Sequence, residues 1–339
     1  MRKALVFGGA GQIGGAVAQH LARTDWHITS VTRENRPLPY AENGRITWFK
    51  DPGKNRADII SDIGGTFDAV VDPTAYDAQD SADLLTSEAK IGAIVSISSS
   101  SVYADSDGRS LDEAQNTGFP EFPVGIPETT ATVKPGPETY STRKVAMEQA
   151  LEKAKIPVLI LRPCAIYGTY ARELREAWIL RRLAENRQVL PISHKAESIF
   201  HTSSTSGIAS LIDCALRDPK SATLNVADPD ALSVKGLIKA VCDAVSTTAE
   251  ILPFPGEPEG MVGRTPWTVA RPYVLDTSRA RALGWHGGEP YAEAVTSVCA
   301  WAMEQASETS WDAAFPLYKA YGVNMFDYAA EDQFLAEQA

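Results

Sequence analysis

The sequence predicts an α/β fold: a doubly wound parallel sheet with a smaller C-terminal substrate-binding region beside it. Three observations predict this. Six short apolar runs alternate with longer helical patterns through the first half, the runs are apolar on both faces, and the first run empties into a glycine-rich turn. Parallel strands need crossover connections, and crossovers cover both sheet faces, so strands between them read as continuous apolar runs.

The strands in order are residues 3–7 (KALVF), 27–32 (HITSVT), 46–50 (ITWFK), 68–72 (DAVVD), 93–98 (AIVSIS) and 157–162 (PVLILR), each short and rich in branched residues. Between them, residues 11–23, 81–90 and 141–153 carry helical periodicity. Residues 103–140 contain Pro120, Pro123, Pro127, Pro135 and Pro137, little periodicity, and more length than an ordinary connection needs, which suits a lid or binding loop. Beyond the sixth strand we expect helices at 173–185, 206–216, 233–245, 278–283 and 291–305, strands at 199–202 and 223–227, and a Pro/Gly-rich loop at 252–267. The expected division is a dinucleotide-binding domain over 1–165, with 199–228 returning to it, and a substrate-binding region over 166–198 and 229–339.

Bulk properties narrow the function. With 43 acidic against 32 basic residues, a net charge of −11 and no basic block, a nucleic-acid partner is disfavoured. No apolar run approaches the ~20 residues that cross a bilayer, and the N-terminus runs straight into the glycine turn where a secretory signal would need a cleavage site, so no membrane partner and a cytoplasmic location are expected. Cys164, Cys214, Cys242 and Cys299 are widely spaced without histidine companions, which reads as reduced, mostly buried thiols and no metal site.

The first strand delivers the chain into Gly8-Gly9-Ala10-Gly11-Gln12-Ile13-Gly14. Glycines here let the backbone turn tightly and approach a pyrophosphate, whose charge sits against the amides and positive end of the following helix. Gly8, Gly11, Gln12, Ile13 and Gly14 are therefore candidate cofactor contacts. Where an NAD enzyme of this type carries an acidic residue after the second strand, this chain has Thr32 and Arg33, then Arg36. A guanidinium can clamp a 2′-phosphate, which favours NADP(H) over NAD(H); the alternative is that both arginines are solvated surface charges.

The fifth strand ends in Ser98-Ser99-Ser100-Ser101-Val102-Tyr103, and in a doubly wound sheet the carboxyl ends of strands face the ligand crevice. Further on, Tyr140 and Lys144 share a helix face at i and i+4. An ammonium beside a phenol favours the phenolate, so the pair is expected to hold the tyrosine below its ordinary value of ~10 and suit it to acid/base work.

Together the GGAGQIG turn, the SSSSVY strand end, the YSTRK helix start and the LRPCAIYG segment resemble the extended, epimerase/dehydratase-like branch of the short-chain dehydrogenase/reductase superfamily, whose cofactor domain is a Rossmann fold. The likeness continues through IFHTSSTSGIASLI, TLNVAD and VLDTSRARALGW, covering nearly the whole chain. It implies a catalytic set of Ser99, Tyr140 and Lys144, with Ser99 holding the substrate oxygen, Tyr140 exchanging its proton and Lys144 also binding the nicotinamide ribose. It implies Pro163 and Ile166 beside the nicotinamide, Thr74 and Ala75 beside the cofactor, Asp51 near the adenine, Ser101 as the next serine to face substrate, and a homodimer through the helices beginning near Asp80 and Tyr140.

Two positions that hold a sugar diphosphate in many relatives are Ala165 and Glu197 here, where the branch carries asparagine and arginine. A carboxylate facing a diphosphate is repulsive, so nucleotide sugars are disfavoured. Phe7 before the glycines and Thr202 to Ser206 in place of an acidic motif mark an atypical subgroup. The expected function is an NADP(H)-dependent oxidoreductase acting on a small-molecule carbonyl, alcohol or imine. The alternatives are an epimerase or dehydratase that retains its cofactor, and a non-catalytic NADP(H)-binding regulator.

Overall fold

The computed structural model describes residues 1–33, 44–316 and 324–338. The first half runs β1 (Arg2–Phe7), α1 (Gln12–Ala22), β2 (Trp26–Thr32), β3 (Ile46–Lys50), α2 (Arg56–Ile63), β4 (Ala69–Asp72), α3 (Ala78–Leu85), β5 (Ile94–Ile97), α4 (Ala114–Thr117), α5 (Tyr140–Leu151) and β6 (Val158–Pro163). Then follow β7 (Ala165–Tyr167), α6 (Ala177–Ala184), β8 (Val189–Ile192), β9 (Thr202–Ser204), α7 (Thr205–Ala215), β10 (Ala222–Val226), α8 (Val234–Ala244), β11 (Glu250–Pro253), α9 (Ser278–Ala282), α10 (Tyr291–Glu308), α11 (Trp311–Ala314) and α12 (Tyr328–Gln338).

Seven strands form one sheet in the order β10-β6-β5-β4-β1-β2-β3, every neighbouring pair parallel. The strand order reverses between β1 and β4, the crevice where such sheets bind ligands. Alternation along β1 shows how both faces are covered. Ala4 and Val6 enter a core with α1 and α7, while Leu5 and Phe7 enter a second core with α2, α3 and α5. Burying a Val, Leu or Phe side chain is worth about 1.5–3 kcal/mol, so a strand buried on both faces is held twice.

A third core, around Trp178, Trp267 and Tyr291, joins α6, α8 and α10 beyond the carboxyl edge of the sheet. Two small parallel pairs, β7 with β9 and β8 with β11, complete that layer.

Several local expectations need correction. Helix α2 was not expected, although Asn55 caps its N-terminus through the Asp58 amide and Gly64 ends it at φ +75°. The helix expected at 81–90 begins earlier, capped by Asp77, and breaks into α3 and a 3₁₀ turn at Glu88–Lys90. The strand expected at 199–202 lies at Thr202–Ser204, and β7, β8 and β11 are additional. The proline-rich segment is no free flap: it carries α4 and bridges Tyr103 to Thr132 and Ile126 to Leu275, with Ile126 fully buried.

Candidate active site

The turn after β1 is built to approach something closely. Gly8 has φ +63° and its carbonyl accepts the Gly11 amide at 2.8 Å. A Cβ on Gly14 would lie 2.4 Å from that same carbonyl oxygen, and one on Gly9 would lie 1.7 Å from Ser30 Oγ. Helix α1 has Gly11 as N-cap, no side-chain cap and no acidic residue in its first turn, which keeps its positive end for an anion. Gln12 Nε2 is buried with no protein partner. These features fit a dinucleotide's pyrophosphate, and Gly8, Gly11, Gln12, Thr32, Arg33 and Thr74 line one pocket of about 310 Å³.

Around it, Arg33 is exposed at the end of β2, and Arg36 lies outside the described residues. The Asp51 amide donates to the Thr32 carbonyl, while its carboxylate accepts the Gly53 and Lys54 amides at 2.7 and 3.3 Å, so this side chain organises the turn after β3. Ile13 is half-buried against the first core, as is Ile166. Ala165 is 1% exposed and its amide donates to His201 O, so its methyl is packed inside the β7–β9 pair. Pro163 is buried at the end of β6.

Ser99, Tyr140 and Lys144 come together at the carboxyl edge of β5. Thr139 and Thr142 form a reciprocal capping box that starts α5 at Tyr140. Ser141 Oγ donates to Ser101 Oγ at 2.8 Å, and Ser101 donates to Ser99 Oγ from its hydroxyl at 2.9 Å and its amide at 3.1 Å. With those donors accepted, the Ser99 proton is available to the phenol oxygen of Tyr140. Lys144 is 5% exposed, and its ammonium donates to the carbonyls of Ala75 and Ile97 at 2.7 and 2.8 Å.

Burial outweighs the expected electrostatic coupling. Loss of hydration pushes the Tyr140 phenol up to about 12, with Ser99 pulling the other way and the charge of Asp112 adding to the rise. Lys144 sits 5.7 Å from the Tyr140 ring centroid, but its charge is directed at two carbonyls, and burial brings the ammonium down to about 8 despite Asp72, Asp80 and Glu148. Desolvation outweighs pairing for both groups. Tyr140 retains 41% exposure, so its phenol can still meet a substrate.

Sequence reasoning missed several participants. Arg56 of α2 pairs with Asp72 and Asp80 and reaches Thr74 Oγ1 at 3.3 Å, fixing the strand end beside Lys144. Asp72 also accepts the Thr74 amide and hydroxyl. Asp112, from the proline-rich segment, accepts the Ser141 amide at 2.8 Å. The Asn55 cap and Asp58 signalled α2, but no local pattern signalled Asp112.

Other groups are structural. His201 accepts the Leu275 amide at Nδ1 and meets the Asp228 carbonyl at Nε2, a packing role. Tyr273 is buried and donates to the Ser100 carbonyl at 2.5 Å. Cys242 and Cys299 are buried, whereas Cys164 and Cys214 are half-buried. Among the described residues, no group of three or more His, Cys, Asp or Glu is placed to hold a metal ion, and no helix is long and apolar enough to cross a membrane.

A parallel doubly wound sheet with a glycine-lined pocket at its switch point and a Ser-Tyr-Lys cluster beside it defines a dinucleotide-binding class of enzyme. Within it, residues 4–227 match the family model "NAD dependent epimerase/dehydratase family", and the chain belongs to that family, in the extended branch of the short-chain dehydrogenases/reductases. The fold is similar to Bordetella bronchiseptica WbmH in complex with NAD⁺ (17% identity, TM-score 0.68, 90% of this chain and 99% of that one). It is also similar to Bacillus cereus UDP-glucuronic acid 4-epimerase in complex with UDP-glucuronic acid and NAD (16%, TM-score 0.64, 88% and 98%). A third is Stenotrophomonas maltophila UDP-glucose-4-epimerase with NAD and formylated UDP-arabinopyranose (19%, TM-score 0.66, 90% and 100%). A search of curated proteins returns no significant match.

Proposed function

We propose that this enzyme transfers hydride between NADP(H) and a small-molecule carbonyl/alcohol pair. The observation that carries the reading is the convergence of Ser99, Tyr140 and Lys144 at the carboxyl edge of β5, with Lys144 one helical turn after Tyr140. A tyrosine phenol is neutral near pH 7 and can give its proton to a carbonyl oxygen.

The residues that would hold the cofactor are Gly8, Gly11, Gln12, Gly14, Thr32, Arg33 and Thr74, and the nicotinamide supplies the hydride chemistry that side chains lack. Ser99 holds the substrate oxygen by a hydrogen bond. Tyr140 gives that oxygen its proton, and the Ser141–Ser101–Ser99 hydroxyl chain orients the donor. Lys144 stiffens the strand ends at Ala75 and Ile97 by donating to their carbonyls. In this reading residues 1–165 with 199–228 bind the cofactor, and 166–198 with 229–339 hold the substrate.

Exposed Arg33, with no carboxylate among the described residues that line the pocket, favours the 2′-phosphate of NADP(H). A second reading, an epimerase or dehydratase retaining NAD, is favoured by the NAD complexes of the structural relatives. Buried Ala165 and exposed Glu197 weigh against a nucleotide-sugar substrate. The test is NADPH consumption across a panel of ketones, aldehydes and imines. The reductase reading expects turnover that Tyr140→Phe abolishes while NADPH still binds. Cofactor that co-purifies stoichiometrically as NAD, with no net NADPH consumption, overturns it for the second reading.

A further inference from the structure

The pocket at the end of β1 has a wall that the glycine turn does not supply. Tyr170 and Arg172, from the segment following β7, line the same cavity as Gly8, Gly11, Gln12 and Arg33. That segment is held firmly. Ala171 and Leu174 are buried on either side of exposed Arg172, and Arg175 donates back to the Ile166 carbonyl at 3.2 Å. Tyr170 adopts φ +65°, a left-handed conformation costly for a residue with a Cβ, and its ring packs 5.6 Å from Trp301 of α10.

The charges around this cavity are one-sided. Among the described residues, the two side chains of fixed charge that line it are both arginines and none is a carboxylate, and α1 points its positive end there. The chain as a whole carries a net −11, so this is a cationic site on an acidic protein. Arg33 reaches it from the rim of the sheet, whereas Arg172 reaches it from the opposite layer. A planar guanidinium with several donors is matched to a phosphate, and opposing it to the helix N-terminus would grip a diphosphate from two sides.

We propose that Arg172 binds the pyrophosphate of the dinucleotide, clamping it from the second layer against the glycine turn; this rests on reading the pocket as the dinucleotide site. Arg172 therefore acts on the part common to NADH and NADPH, and Arg33 on the 2′-phosphate that distinguishes them. Closing the cofactor between layers also gives the second layer a direct part in retaining it.

Calorimetric titration of the full-length protein with NADPH and with NADH tests this for wild type, R172A, R172K and R33A. Loss of one charge-assisted contact to phosphate corresponds to about a tenfold rise in Kd, so R172A is expected to weaken both dinucleotides by that factor. R172K, keeping the charge without the fork, is expected to fall between R172A and wild type for both, and R33A to weaken NADPH alone. R172A affinities within about twofold of wild type for both cofactors, the scale of an ordinary surface charge, overturn the assignment and leave the dinucleotide reading standing. A loss confined to NADPH in R172A also overturns it, by moving Arg172 to the 2′-phosphate. Wild-type protein that binds neither dinucleotide overturns both readings together.

Discussion

Replacing Lys144 by methionine should change how stability depends on pH, with a sign that burial alone determines. In the folded protein the ammonium is brought from 10.5 down to about 8, chiefly by loss of hydration. Between those two values the unfolded chain binds the proton and the folded chain does not, so unfolding takes up a proton and stability rises with pH. Integrating over that gap, Lys144 adds about 1.4 kcal/mol of stability between neutrality and about pH 9, and about 3 kcal/mol by pH 10.5. Other groups titrate in this window, and the raised Cys164 thiol works in the opposite direction as pH rises above 9. The quantity to measure is therefore the difference in unfolding free energy between wild type and Lys144→Met, from urea titrations at a series of pH values. It should move in favour of wild type as pH climbs from about 7 to about 10.5. At neutral pH the variant also leaves the Ala75 and Ile97 carbonyls without their donor, at about 1–3 kcal/mol for each unsatisfied group. A difference that stays flat, or moves against wild type, would refute the picture of a desolvated ammonium held by two carbonyls.

Three further outcomes follow from the same geometry. Gly14→Ala should abolish dinucleotide binding in a fluorescence titration and lower stability by about 1–3 kcal/mol or more, because its Cβ would press on Gly8 and Phe7 backbone atoms at 2.4 to 2.9 Å; normal binding would show that the turn can relax. The buried Arg162–Glu148 pair, joined at 2.6 and 3.0 Å, should make Arg162→Met cost about 3–5 kcal/mol in urea unfolding, with Glu148→Met added to it restoring part of the loss. Asp112→Asn removes a charge that raises the Tyr140 phenol, so the basic limb of the pH profile of kcat/KM should move to lower pH, and a limb that stays or rises would remove Asp112 from the site.

What could be read from the sequence divides along the range of the interactions involved. Strands β1, β4, β5 and β6 were legible because a parallel strand buried on both faces must itself be apolar, the edge strand β3 because its residues are branched and aromatic, and the glycine turn because a backbone approach to phosphate leaves only one residue type at each tight position. Strands β7, β8, β9 and β11 are three or four residues long and pair only in twos, so nothing in their own composition separates them from loop. Helix α2 buries only Ile59 and Ile60, too little for a periodic signal, and its caps were the information available.

The catalytic cluster shows the same division inside a single motif. Spacing alone puts Tyr140 and Lys144 on one helix face, and that part was legible. Which way their proton affinities move depends on groups distant in the chain: the carbonyls of Ala75 and Ile97, the serines at the 3₁₀ turn Ser100–Val102, and Asp112 from the proline-rich segment. Ala75 follows β4, Ile97 ends β5, and the serines and Asp112 belong to the β5–β6 connection, so it is the sheet's topology and the path of that connection that bring them to one edge. A helical i, i+4 pair therefore predicts neighbours but not chemistry. In this protein the local pair favours a phenolate, whereas in the assembled site burial and Asp112 raise the phenol's proton affinity and the Lys144 ammonium is directed at two carbonyls instead.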